Sequence, residues 1–226
     1  MEKMTKEEFF KIAKETSKGF KNIPILWDGR KSILEMRESG FNQWRQMEWI
    51  GWYFQFLCEK VLQDIMKTPG PKYGNVQFDG FSKIPWDFKA HAINTSSHQI
   101  IVNDSEATAN AINKFGCVGL VLAMGEVKYN DDKRTFQKWH EALKGGKSEY
   151  EMERIKRGAW SRLRKVEFKL EQISFIRIDD AVLVKCGSFQ RDFRNAGGQP
   201  RREKVLLDLE KLDEEIIYFL NLKNSL

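Results

Sequence analysis

Residues 117–129 begin with eight apolar side chains in a row, CVGLVLAM, and show none of the polar alternation of a half-exposed strand. A run of this kind reads as a central strand buried on both faces, so the rest of the chain must supply cover on each side of a sheet. It is too short for a membrane span, which needs about 20 apolar residues. Immediately before it, Asp104 or Ser105 caps a helix running through Lys114, and Gly116 stops that helix. Upstream, short stretches at 75–81, 85–93 and 98–102 are punctuated by Gly, Ser or Asn and read as three strands.

The remaining elements follow from periodicity and caps. Thr5 with Glu8 forms a capping box for a first helix that has Phe9, Phe10, Ile12 and Ala13 on its apolar side and stops near Gly19. Residues 41–67 read as the longest helix, with Ile50, Phe54, Leu57, Val61 and Ile65 at helical spacing, ended by Pro69-Gly70-Pro71. Beyond Asp131, helices are expected over 135–144 and 149–169, a strand pair at 173–177 and 181–185, and a last helix over 202–223. The expected class is α/β (α+β), a mixed central sheet flanked by helices. A chain of 226 residues suits one domain.

Charge points to a polyanion. The formal net charge is +6, and it is clustered. Seven Lys or Arg residues and one acid, Glu167, lie between Arg154 and Lys169, among them Arg157, Arg162 and Arg164, with Trp160 in their midst. A second cluster, Arg191, Arg194, Arg201, Arg202 and Lys204, surrounds a Gly-Gly-Gln-Pro loop. Both suit contact with a phosphate backbone, and solvated surface is the plain alternative for each. Cys58, Cys117 and Cys186 are widely spaced among apolar neighbours, which favours neither a disulfide framework nor a zinc site. With no signal-peptide pattern at the N-terminus, a cytoplasmic protein is expected, without a membrane partner. No Gly-rich phosphate loop is spelled, so no nucleotide cofactor is expected.

The string Pro85-Trp86-Asp87-Phe88-Lys89 carries the chemistry. Strand side chains alternate, so Asp87 and Lys89 share a face. A carboxylate to hold Mg²⁺ and a nearby cation or proton donor to orient water make the smallest kit for metal-assisted phosphodiester hydrolysis.

A helix, three strands, a helix and a strand, with these acids, resemble the PD-(D/E)XK nuclease superfamily, particularly the small type II restriction endonucleases, over about residues 41–129, which implies a core there and makes residues 130–226 additions for DNA binding and dimerisation. The length and composition look most similar to SwaI-like enzymes, which cut eight-base sites to blunt ends. The resemblance places the helix glutamate on Glu59 and the strand aspartate on Asp87, both as Mg²⁺ ligands. The chain departs from the family on its next strand, where Thr95-Ser96-Ser97-His98-Gln99 offers neither Glu nor Lys. Lys89 from the same strand, or His98 or Gln99, then supplies the third catalytic group. Glu126-Val127-Lys128 spells the motif literally and forms the alternative catalytic pair.

Recognition is expected from residues 43–52, QWRQMEWIGW, in which Gln43 and Arg45 could read bases. Trp44, Met47 and Trp52 could press on the base stack beside Glu59, unless the tryptophans are core. The function expected is Mg²⁺-dependent double-strand cutting of a palindromic, AT-rich DNA site by a homodimer. The alternatives are a structure-selective nuclease of the junction resolvase or repair type, and a DNA-binding protein without catalysis.

Overall fold

The computed structural model describes residues 3–74, 76–130, 132–159, 163–191 and 199–222. Arg162, Arg194 and Trp160 lie outside them.

Helix α1 (Lys6–Ser17) opens on the capping box the sequence predicts: Thr5 Oγ1 accepts the Glu8 amide, and the Glu8 carboxylate accepts the Thr5 amide. Strand β1 (Leu26–Asp28), α2 (Gly29–Glu38) and α3 (Trp49–Val61) follow. Next come the small hairpin β2 (Lys72–Tyr73) and β3 (Val76–Gln77), then β4 (Gly80–Ser82), β5 (Ile84–Ala92) and β6 (Gln99–Asp104). Helix α4 (Ser105–Phe115) leads to β7 (Val118–Tyr129). The C-terminal half holds α5 (Thr135–Leu143), α6 (Glu149–Lys156), β8 (Lys165–Ile178) and α7 (Asp180–Cys186). Strands β9 (Gly187–Gln190), β10 (Lys204–Asp208) and β11 (Ile217–Asn221) end it.

The main sheet is mixed, in the order β1-β8-β7-β5-β4, with β11 also on β8. Strand β7 is central, parallel to β5 and antiparallel to β8, as its unbroken apolar run requires. Residues 118–123 of β7 are buried. Gly119 stands beside Trp86 of β5, where an added Cβ would come within 2.2 Å of the indole, so the close approach of the two strands depends on this glycine. Asp104 caps α4 by accepting the Ala107 amide, and Gly116 ends the helix in the left-handed region at φ 87°. Aromatic side chains fill the space between the sheet and helices α1 and α3: Phe9 stacks on Trp86 at 5.3 Å and Trp27 on Phe168 at 4.7 Å. Each fully buried Phe contributes about 1.5–3 kcal/mol. Cys58, Cys117 and Cys186 are free and buried. Among the described residues no helix is long and apolar enough to cross a membrane.

Several expectations fail, each for an identifiable reason. The third predicted strand leaves the main sheet: β6 joins β10 and β9 in a separate three-stranded sheet, its edge taken by β10 from the far C-terminal part of the chain. The expected helix over 149–169 ends at Lys156, and the segment from Lys165 is a 14-residue strand. Its Phe168 and Leu170 are buried with exposed Lys169 between them, a period of two. The expected strand over 181–185 is helix α7, started by the Asp179 side chain accepting the Val182 amide. The expected helix over 202–223 is two strands and two short 3₁₀ turns, and Val205 and Leu207 alternate inward on β10. The expected helix over 41–67 is a 3₁₀ turn at Asn42–Arg45 and the shorter α3.

Candidate active site

Strands β4 and β5 reverse through Lys83 alone, which takes the left-handed φ of 61°. The pairs Ser82↔Ile84, Phe81↔Pro85 and Gly80↔Trp86 leave Asp79, the residue just before β4, next in line toward Asp87. Opposed residues of an antiparallel pair share a face. The Phe88 amide donates to Oδ2 of Asp79 at 2.7 Å and fixes that carboxylate against the strand. Lys89, two residues beyond Asp87, reaches both acids: its Nζ lies 3.7 Å from Asp79 Oδ2 and 3.9 Å from Asp87 Oδ2. Asp79 was not among the sequence-predicted residues, although a hairpin closing on Lys83 would have placed it.

Asp87 is buried, and Asn103 on β6 donates its amide to Oδ1 at 3.0 Å. Its Oδ2 is buried without a hydrogen-bond partner. Burial raises the Asp87 carboxyl above the usual carboxylate range; Lys89 opposes this, Asp79 adds to it, and Asn103 and Lys204 oppose it. Burial works against the Lys89 ammonium, but Asp87 and Asp79 more than offset it, so the amine is held above its ordinary value. Lys89 is therefore a cation at neutral pH, able to donate a proton or balance negative charge but not to act as a base. Lys204 comes from β10 and links the second basic cluster to this group.

Glu59 is half-buried near the end of α3, the helix that packs on β5. Its Oε1 accepts from Gln55 at 3.0 Å, and burial raises its carboxyl, with the Asp79 charge adding. Glu59, Asp79, Asp87 and Lys89 thus form one electrostatic group.

Other predicted residues fall elsewhere. His98 is half-exposed and faces Glu210 at 3.4 Å. Glu126 and Lys128 are exposed near the far end of β7, opposite Lys169 and Glu167 of β8. Asp87 is level with Leu120, so Glu126 lies six residues further along β7, which is about 20 Å at strand rise. Trp44 is buried, which removes it from base stacking. Trp49 is also core, and its indole donates to the Lys165 carbonyl at 2.8 Å. Trp52 is partly buried against the core, and Met47 is half-buried, its sulfur contacted by Arg164. Gln43 is half-buried, Arg45 is exposed with its guanidinium 4.8 Å from the Trp44 ring, and Arg157 is exposed. Arg191 pairs with Glu203.

Among the described residues, no set of three or more His, Cys, Asp and Glu side chains encloses a metal on its own. Mg²⁺ needs less, since it takes one or two protein carboxylates and keeps several waters. Asp79 and Asp87 supply two, and Asp87 Oδ2, buried without a hydrogen bond, is the atom that fits a ligand.

No family model matches the chain, and no curated protein matches it. Among solved structures, the restriction endonuclease BglI, crystallised with its DNA recognition sequence, is similar at a TM-score of 0.35 and 8% identity, over 97% of this chain and 98% of that one. So loose a likeness carries no argument here.

Proposed function

We propose that the chain is a Mg²⁺-dependent DNA endonuclease of the restriction type, with Asp79, Asp87 and Lys89 as its cutting group. The observation that carries this is the single face on which Lys89 lies within 4 Å of both carboxylates, the nearer oxygen of Asp87 being buried and without a hydrogen bond. Asp79 and Asp87 would hold the metal, and Mg²⁺ bound there supplies charge neutralisation and a water of lowered pKa. Lys89, as an ammonium, orients that water and balances charge that develops on the phosphate. Asn103 keeps Asp87 from rotating. Glu59 adds negative charge at the edge of the group, and Lys204 adds positive charge where a phosphate would approach.

The net charge of +6 and the clusters around Arg157 and Lys204 support double-stranded DNA as the substrate. A homodimer cutting a palindromic, AT-rich site, as in SwaI-like enzymes, is the finer form of the proposal, because two-fold protein symmetry matches a palindrome. Incubation of the full chain with a large, fully sequenced DNA and Mg²⁺, followed by mapping of the ends, tests it. Discrete fragments with common end sequences are expected; intact DNA at every Mg²⁺ concentration would overturn the proposal.

A further inference from the structure

A second polar site lies where three distant parts of the chain meet. Arg45 and Met47, ahead of α3, face Lys144, Gly145, Gly146, Lys147 and Ser148 across a cleft of about 480 Å³ between α5 and α6. That volume falls in the range of small-ligand sites, about 300–1,000 Å³. Behind Met47, Arg164 and Lys144 line a smaller continuation with His140, Glu141 and Glu151. Four cations, Arg45, Lys144, Lys147 and Arg164, thus face two carboxylates, Glu141 and Glu151.

The cations differ in how well they are satisfied. Lys147 pairs with Glu141, which also accepts from Gln137 at 2.8 Å. Among the described residues, Arg45 and Lys144 form no ion pair. Burial holds the Lys144 ammonium below its ordinary value, and Arg164 and Arg45 add to this against Glu141 and Glu151. Burial likewise holds Arg164 down. Like charges crowded in a half-buried cleft are stabilised by an anion between them. Ser148, which caps α6, lines both parts of the cleft.

We propose that this cleft binds a phosphate group, held by Arg45 and Lys144 and backed by Arg164. In the nuclease reading, on which this assignment of the source rests, the phosphate belongs to the DNA backbone beside the cut. The cleft opens ahead of α3, and Glu59 lies ten residues beyond the first residue of that helix, about 15 Å along its axis. A free phosphorylated small molecule would present the same chemistry.

The test uses the full chain, the Arg45→Gln/Lys144→Gln double variant and Lys144→Arg. Inorganic phosphate binding is followed by calorimetry, and binding of an unrelated 20-base-pair duplex by anisotropy in EDTA over a range of NaCl. Thermal melting confirms that the variants fold. Loss of phosphate binding by at least tenfold in the double variant, retention in Lys144→Arg, and a duplex salt slope shallower by about one unit are expected. Loss of phosphate binding with an unchanged salt slope would overturn the backbone assignment and leave a free phosphorylated ligand as the occupant. No change in either measurement would overturn the site. Because these readings are made without metal, they stand apart from the nuclease proposal, which is tested by cleavage in Mg²⁺.

Discussion

Asn103 Nδ2 donates to Asp87 Oδ1 at 3.0 Å, with both residues buried, so one carboxylate oxygen is fixed by the second sheet and the other is left for a ligand. Partners that orient a metal ligand in this way are typically worth about 10- to 100-fold in metal affinity. Asn103→Ala should weaken Mg²⁺ binding by about that factor in calorimetry. An unchanged affinity would make the contact a packing detail.

The raised carboxyl of Asp87 gives a pH dependence whose sign can be worked out. Between the unfolded value, about 4, and the raised folded value, the folded chain keeps a proton that the unfolded chain has released. Stability therefore falls as pH rises through that window, in the absence of metal. Asp87→Asn removes the penalty, so its melting temperature should gain on wild type as pH rises from about 4 upward. Metal binding, which needs the ionised acid, should weaken as pH falls through the same window. A melting difference independent of pH would show that Asp87 titrates normally.

His140 behaves in the opposite sense. Its Nε2 donates to the Trp44 carbonyl at 3.0 Å, and burial, with Lys144 adding, lowers its pKa to about 4. The unfolded imidazole takes up a proton at about 6.5, so stability should be lost as pH falls from there toward the folded value. Urea unfolding of His140→Gln should show a flatter pH profile over that range; a profile as steep as wild type would contradict the shift.

Position on the tryptophan-rich segment decides what each substitution does. Trp49, 1% exposed, should cost about 3–5 kcal/mol when changed to Ala, read from denaturant unfolding. Trp52, only partly buried, should cost less. Equal losses at the two positions would mean that both are core.

Half of the site was legible in the sequence. Asp87 and Lys89 fall on one strand face by period alone, and the apolar run of β7 located the strand beside them. Asp79 was missed because the resemblance put the first acid on the helix, at Glu59, and the spacing of the two strands alone does not fix the register across Lys83 that carries Asp79 toward Asp87. Asn103 and Lys204 were missed for a longer-range reason. They meet the site through β6 and β10, and the segment of β10 had been assigned to a helix whose apolar spacing it also satisfies. The strand β8 was obscured by its charges: Lys165, Glu167 and Lys169 alternate with Val166, Phe168 and Leu170, but continue a basic stretch that begins on α6. Where the local signal was a cap, as at Thr5, Asp104 and Gly116, the element was placed correctly.

In the proposed function Asp79, Asp87 and Lys89, rather than Glu126 and Lys128, cut DNA. Single-turnover cleavage of a large sequenced DNA in Mg²⁺ by Asp79→Asn and by Glu126→Gln, with duplex binding measured beside it, tests the claim most directly. The expected result is a rate lower by several orders of magnitude in Asp79→Asn with binding retained, and a rate near wild type in Glu126→Gln. Cleavage by Asp79→Asn at the wild-type rate, with Glu126→Gln inactive, would contradict it.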